Sequence, residues 1–478
     1  MEGSLDRSMR IGGERVGARG RDIRPIFNPA SGEAIAEIPV ATRQDLDAAI
    51  EAARRGFEMW RNTSAFDRSV ILRRGAGLLR ERSEHVGRVM TLEQGKLLAD
   101  SVAEVRGAAD MLEWFAEEGR RAYGRIVPAR DSKVRNLVLR QPIGPVAAFT
   151  PWNFPVTIPA RKIGAALAAG CSCIIKPAEE TPSPTLAIAQ ALADAGLPEG
   201  VLNVVFGVPD DISTYLIRSP AIRKVSFTGS TAVGKHLAKL AADGVKPITL
   251  ELGGHAPVIV FEDADIEKAV MLTARSKFRN AGQICIAPTR FYLHEAVHDR
   301  FVERFRAIAA SLRLGDGLDP QTELGPLANV RRVAAMERLV GDAVRRGARL
   351  ETGGARPDRS GYFWQPTLLS DVPTAADIMQ EEPFGPVAVT RRFRTFEDVM
   401  IEANRLPFGL AAYAFTRDLA TATRVGDELE SGMVGINHVV LTTPETPFGG
   451  VKESGYGSEG GQEGLEGYLV TKFVAQGS

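Results

Sequence analysis

Three residues, far apart in the chain, have the side chains that acyl transfer needs. Cys285 closes the run Phe278-Arg279-Asn280-Ala281-Gly282-Gln283-Ile284-Cys285, just after a helix-like stretch and inside a Gly/Gln turn. A nucleophilic thiol needs exposure and a lowered pKa, because an ordinary thiol is only a few per cent ionised at neutrality. Asn153 stands in Pro151-Trp152-Asn153-Phe154-Pro155, where two prolines fix the backbone and hold the amide rigidly, as an oxyanion donor must be held. Glu251 ends an apolar run and precedes Gly253 and Gly254, a setting in which a carboxylate can serve as general base. Taken singly, each has an ordinary meaning: packing for the cysteine, a turn cap for the asparagine, a cap or salt bridge for the glutamate. Cys171 and Cys173 lie in an apolar strand and read as core.

Two further motifs point to other chemistry. Gly229-Ser230-Thr231-Ala232-Val233-Gly234-Lys235 satisfies most of a P-loop, but His236 stands where the magnesium-binding hydroxyl belongs, which argues against an NTPase. His294-Glu295-Ala296-Val297-His298 spells the signature of zinc hydrolases. It needs both histidines on one helix, whereas His294 closes a strand-like run, so no metal site is expected.

The surrounding pattern says what must hold these groups. Helical periodicity covers Asp45 to Trp60, Ala65 to Met90 and Ser101 to Tyr123. Short apolar runs then alternate with helix-like segments. Gly144 to Thr150, Ser172 to Pro177, Asn203 to Gly207 and Lys224 to Gly229 are the strands, with Val156 to Ala169 and Ser183 to Ala195 between them. Such alternation predicts βαβ units and a parallel sheet, with ligands beyond the carboxyl ends of the strands, where Lys176, Gly229 and Ser230 fall. A second alternating half begins near Leu252, with strands at Pro257 to Phe261, Thr289 to Leu293, Val387 to Phe393 and Gly432 to Asn437. Its helices are Asp265 to Arg279, Ala296 to Leu312 and Asn329 to Gly347. Arg125 to Gln141 and Tyr468 to Ala475 are strand-like pieces outside both halves, candidates for an intersubunit sheet.

Composition narrows the classes. The 478 residues carry 59 Lys plus Arg against 59 Asp plus Glu, so no basic excess calls for nucleic acid or a membrane surface. The first residues lack the apolar core of a signal peptide, and three cysteines argue against a disulfide framework; a cytoplasmic setting is expected.

The joint order of PWNFP, KPAE (Lys176 to Glu179), FTGS (Phe227 to Ser230), ELGG, GQIC, EEPFGP (Glu381 to Pro386) and PFGGVKESGYGSEGG (Pro447 to Gly461) resembles the aldehyde dehydrogenase superfamily over about residues 25 to 475. The resemblance implies an α/β fold: a Rossmann-type dinucleotide-binding lobe (1–123 and 143–251), an α/β catalytic lobe (252–446) and a small β oligomerisation arm with the C-terminal strand (124–142 and 447–478). It implies a homodimer or homotetramer that oxidises an aldehyde with NAD or NADP. Cys285 would attack the carbonyl, the Asn153 amide would hold the oxyanion, Glu251 would activate water to hydrolyse the thioester, and Lys162 would relay protons. The implied cofactor contacts are Thr150, Pro151, Trp152, Lys176, Glu179, Gly207, Gly229, Ser230, Gly234, Leu252, Glu382 and Phe384. Glu179 repels a 2′-phosphate and so favours NAD over NADP.

Arg161 and Arg279 flank the motifs that must converge on the reacting carbon, and an arginine pair would bind a carboxylate at the far end of a short aldehyde. The stretches ARKIGAALAAGC and FRNAGQIC resemble the succinate-semialdehyde dehydrogenase branch, which adds Thr442 and Thr443 as substrate contacts. Glutarate semialdehyde, 2-oxoglutarate semialdehyde or an uncharged aldehyde are the alternatives, and a non-catalytic dinucleotide-binding protein is the non-enzyme reading. His255 replaces the Asn or Lys expected after ELGG, and the sequence offers no reason for it.

Overall fold

A computed structural model describes residues 6–477; residues 1–5 of the opening stretch read above for a leader, and Ser478, lie outside the described residues. Two α/β lobes dominate. The first is built on an eight-stranded sheet whose centre is five parallel strands, in the spatial order Leu202–Val204, Cys173–Lys176, Val146–Phe149, Lys224–Thr228 and Ile248–Glu251. These strands are apolar and buried on both faces, as strands covered by helices on both sides must be. Strand order runs outward from Val146–Phe149 in one direction and then restarts beside it at Lys224–Thr228. That reversal leaves a crevice beyond the carboxyl ends.

The second lobe carries seven strands, in the order Arg349–Thr352, Thr367–Ser370, Val387–Phe393, Arg290–His294, Pro257–Val260, Ala411–Phe415 and Met433–Ile436. Only the Arg349–Thr352 edge is antiparallel. Each lobe has its own apolar core. A third sheet pairs Leu469–Gly477 with Val134–Pro142, and that strand with Arg125–Val127. The end of the chain does not run straight into this arm. Gly455–Tyr456 first joins the edge of the lobe-one sheet beside Ile248–Glu251, and the helix Gly461–Glu466 packs on the lobe-one helices. Residues 447–466 thereby touch both lobes, since Val451–Lys452 pairs with Phe408–Gly409 of the second.

One helix expected from periodicity is two. Ala65–Glu81 and Ser83–Gln94 are separated at Arg82, whose φ of −89° and ψ of 6° leave helical geometry. The apolar repeat continues across the break because both pieces pack on one partner, the helix Leu98–Glu118. The His294/His298 motif is also divided: His294 ends its strand and His298 opens the helix His298–Ser311. His298 faces Asp299 and Thr390, while His294 lies near Glu262.

Candidate functional site

Glu251 ends its strand with its side chain buried and, among the described residues, neither carboxylate oxygen hydrogen-bonded. Burial drives its pKa well above the usual carboxylate range, and Glu459 raises it further, while Lys162 and Arg161 oppose the shift. The segment after it is clamped by Ser454. The Leu252 amide donates to the Ser454 carbonyl at 2.9 Å, and the Ser454 hydroxyl donates to the Gly253 carbonyl at 2.7 Å. A Cβ at Gly253 would stand 2.7 Å from Glu382 Oε2, so a larger residue would have to push that carboxylate aside.

Lys162 and Arg161 lie side by side on the helix Thr157–Ala169 but find different company. Lys162 Nζ pairs with Glu459 and donates to Ser226 Oγ at 2.9 Å, all three side chains being buried. Arg161 lies with its guanidinium carbon 4.3 Å from the centre of the Phe448 ring. Among the described residues it has no hydrogen bond or ion pair, and its Nε is buried without a partner. Burial lowers its pKa, against the pull of Glu459, Glu251 and Cys285.

Cys285 is half-buried and packs on Leu410, Met433 and Phe448. Burial, with Glu382 and Glu251 nearby, pushes its thiol up to about 12, so the resting sulfur is protonated and must lose its proton to attack. Its loop is left-handed at Asn280, Ala281 and Gly282. Asn153 Nδ2 donates to the Gln283 carbonyl at 3.1 Å, which places the amide at the cysteine loop, and Asn153 Oδ1 is buried without a partner. Cys171 and Cys173 are fully buried, and burial pushes them up to about 11 and about 12.

Beyond the strand ends lies a cleft with a volume of about 690 Å³, lined by Thr150, Pro151, Trp152, Lys176, Glu179 and Gly229 among others. Thr150 Oγ1 and Thr228 Oγ1 are buried there without partners, as groups awaiting a polar ligand would be. Lys176 pairs with Glu179. Phe384 meets Trp152 edge-on with ring centres 5.5 Å apart, and Glu382 Oε1 accepts the Gly254 amide at 3.2 Å. Burial raises the Glu382 carboxyl to about 7, with Gly254, Arg332 and Lys277 opposing. The volume, the orphaned hydroxyls and the charged pair at one end fit a dinucleotide.

Residues 16–474 match the aldehyde dehydrogenase family. The chain belongs to that family. A putative 4-(hydroxymethyl)benzenesulfonate dehydrogenase of Comamonas testosteroni is 48% identical, with 97% of each chain covered. A succinate-semialdehyde dehydrogenase [NADP(+)] of Escherichia coli is 45% identical over 98% of this chain and 97% of its own. The solved structure of an E. coli NADP-dependent enzyme superposes with a TM-score of 0.97 at 45% identity, over 99% of this chain and 98% of that one. This aldehyde dehydrogenase is accordingly an NAD(P)-dependent enzyme with the fold expected from its motifs.

Gly207, Gly234 and Leu252 are buried and closely packed. A Cβ at Gly234 would come within 2.4 Å of Leu252, and one at Gly207 would press on Val40 and Ile212. Ser230 is exposed at the start of the helix Thr231–Asp243. Arg279 is separate from Arg161: it is half-exposed, 3.8 Å from Asp100, with its guanidinium carbon 5.9 Å from the Phe154 ring centre. Thr442 is half-buried, and Thr443 is exposed and shares its hydroxyl with Thr446 at 3.2 Å.

The structure also accounts for His255, whose ring bridges the Thr289 hydroxyl and the Ile378 carbonyl, each at 2.8 Å. Burial and Arg290 hold it well below the usual histidine range, so it serves as a neutral strut. Glu459, Lys96, Glu104 and Lys277 escaped sequence reasoning. Each is a charge whose buried setting is created by segments remote in the chain.

Proposed function

We propose that this aldehyde dehydrogenase oxidises an aldehyde bearing an anionic group, with succinate semialdehyde the leading candidate, through a thiohemiacetal and then a thioester on Cys285. The observation that carries the substrate reading is Arg161, a buried guanidinium near Cys285 with no ion pair or hydrogen bond. Leaving such a group unpaired is costly, and a carboxylate satisfies it with two parallel charge-assisted bonds.

In this reading the Cys285 thiol gives up its proton as sulfur attacks the aldehyde carbon. Glu251, whose carboxylate oxygens have no hydrogen-bond partner among the described residues, accepts it when ionised. The Asn153 amide, moving from the Gln283 carbonyl, joins the Cys285 backbone N–H in holding the oxygen as it gains charge. The bound nicotinamide cofactor supplies the hydride acceptor. Once Glu251 has released that proton, it draws another from water, whose oxygen adds to the thioester carbonyl; the C–S bond breaks, the acid leaves and the sulfur is free to take back a proton. Lys162 and Glu459 lie close enough to bias the Glu251 proton and pass it on. Lys176, Glu179, Glu382 and Phe384 would hold the cofactor, with Arg24 and Arg331 also on the cleft wall. A 2′-phosphate would have to displace Glu179 from Lys176, which favours NAD, with NADP the alternative.

A sulfonate in place of the carboxylate is a second reading, supported by the substrate in the Comamonas relative's name and by the equal fit of either anion to a guanidinium. The deciding assay compares NADH and NADPH formation with succinate semialdehyde, glutarate semialdehyde, 4-formylbenzenesulfonate and an uncharged aldehyde of equal length. Arg161→Met is expected to lower kcat/KM for the anionic substrate roughly 100-fold while sparing the uncharged one. Equal rates on charged and uncharged aldehydes would sink the anion reading and leave the dehydrogenase standing.

A further inference from the structure

At the Asn153 backbone carbonyl lies a second buried lysine–glutamate pair. Lys96 and Glu104 are in ion-pair contact, their side chains 1% and 2% exposed. Lys96 Nζ also donates to the backbone carbonyl of Asn153 at 2.8 Å. The same carbonyl accepts from Asn280 Nδ2 at 3.1 Å. Glu104 Oε1 in turn accepts the amides of Val156 and Thr157, both at 3.2 Å, at the start of the helix that carries Arg161 and Lys162. Burial lowers the Lys96 pKa against the pull of Glu104.

The pair sits at a joint between the lobes. Lys96 follows the helix Ser83–Gln94 through Gly95, whose φ is 93°. Gln94 Nε2 donates to Asn280 Oδ1 at 2.9 Å, reaching from the first lobe to the cysteine loop. The turn is seated on the second lobe by glycines that permit close approach: a Cβ at Gly317 would stand 2.3 Å from the Lys96 carbonyl, and one at Gly325 2.2 Å from the Gly95 carbonyl. Asn153 comes from one lobe and Cys285 from the other, so their relative placement depends on how the lobes register. An oxyanion donor misplaced by about 1 Å loses much of its effect.

We propose that Lys96, held by Glu104, is the positioning residue that sets the Asn153 amide against the Cys285 loop. The inference rests on the reading of Asn153 as the oxyanion donor. A buried pair of this kind adds little net stability, and its retention here serves placement.

Replacing one partner would strand a buried charge, so the informative variant is the double replacement Lys96→Met with Glu104→Gln. It is charge-balanced, and the Gln oxygen keeps an acceptor for the Val156 and Thr157 amides. Its kcat is expected to fall at least about 10-fold, with the cofactor KM within about 2-fold, and Asn153→Ala alone should lower kcat by about 10²–10³-fold. Combining the two should add less than about 2-fold to the Asn153→Ala loss, since both act through one amide. Alkylation of Cys285 by iodoacetamide, which builds no oxyanion, should stay within about 2-fold of the parent. A parental kcat in the paired variant, a multiplicative loss in the combined variant, or an equal loss of alkylation would each overturn the positioning role. Full activity in Asn153→Ala would instead overturn the oxyanion reading on which it rests.

Discussion

Glu251 and Glu459 are both buried carboxylates in one electrostatic neighbourhood, and they are treated in opposite ways. Glu459 accepts from Lys162 and from Ser226 at 3.1 Å, while both oxygens of Glu251 are left without partners. A fold assembled for stability alone would satisfy both. The saturated one is fixed in place by its partners; the orphaned one is the carboxylate to which the proposed mechanism gives the proton transfers.

The largest expected effect separates them by turnover. Glu251→Gln should lower steady-state aldehyde oxidation about 10³-fold and slow the first NAD(P)H turnover as well, because the same carboxylate takes the thiol proton and activates water. Glu459→Gln should cost far less turnover, about 10-fold. If both variants lose turnover equally, the division of labour breaks.

Stability should show the reverse order. Glu459→Gln leaves Lys162 as an unpaired buried cation and is expected to cost about 3–5 kcal/mol, read from denaturant unfolding. Glu251 differs in sign. Its folded-state pKa lies above the ordinary 4.5, so its contribution to stability is present below about 4.5 and lost as pH rises toward the folded value. Glu251→Gln should therefore become more stable relative to the parent as pH increases through that window, as thermal melts across pH would reveal.

Smaller effects sharpen the picture at the cofactor end. If ionised Glu382 accepts hydroxyls of the dinucleotide, cofactor affinity should strengthen as pH rises through about 7, by a few-fold, and Glu382→Gln should flatten the profile. Titration of bound NADH fluorescence measures this directly. The smallest effect expected is at Thr443: its exposed hydroxyl is already engaged by Thr446, so Thr443→Ala should change kcat/KM by less than 2-fold.

What could be read from the sequence follows from what was local. The parallel strands of lobe one announced themselves as short apolar runs. Asn153, Glu251 and Cys285 each had an ordinary meaning alone and stood out only through the joint order of the motifs around them. Ala411–Phe415 was missed because a short buried strand has no periodicity of its own. The break at Arg82 was hidden because the helices on either side bury the same kind of face. The partnership of Lys162 with Glu459 spans 297 residues, and that of Asn153 with Gln283 spans 130, so no local pattern could reveal either. Arg161 and Arg279 looked equivalent beside their motifs. Only burial separates a desolvated guanidinium from an exposed one that keeps a half-buried aspartate for company.

The left-handed turn ahead of the nucleophile bears on what the two lobes hold in common. Asn280 and Ala281 have φ of 50° and 51°, conformations that side-chain-bearing residues adopt at a cost of about 1–3 kcal/mol each. A Cβ at Gly282 would lie 2.1 Å from the Gly385 carbonyl, so the turn is shaped against a segment about a hundred residues further along. Nothing in the turn itself selects this shape; it is imposed from outside, by Gln94 on one lobe and Gly385 on the other. The geometry around this thiol is thus a property of the two lobes together, and neither lobe alone carries it.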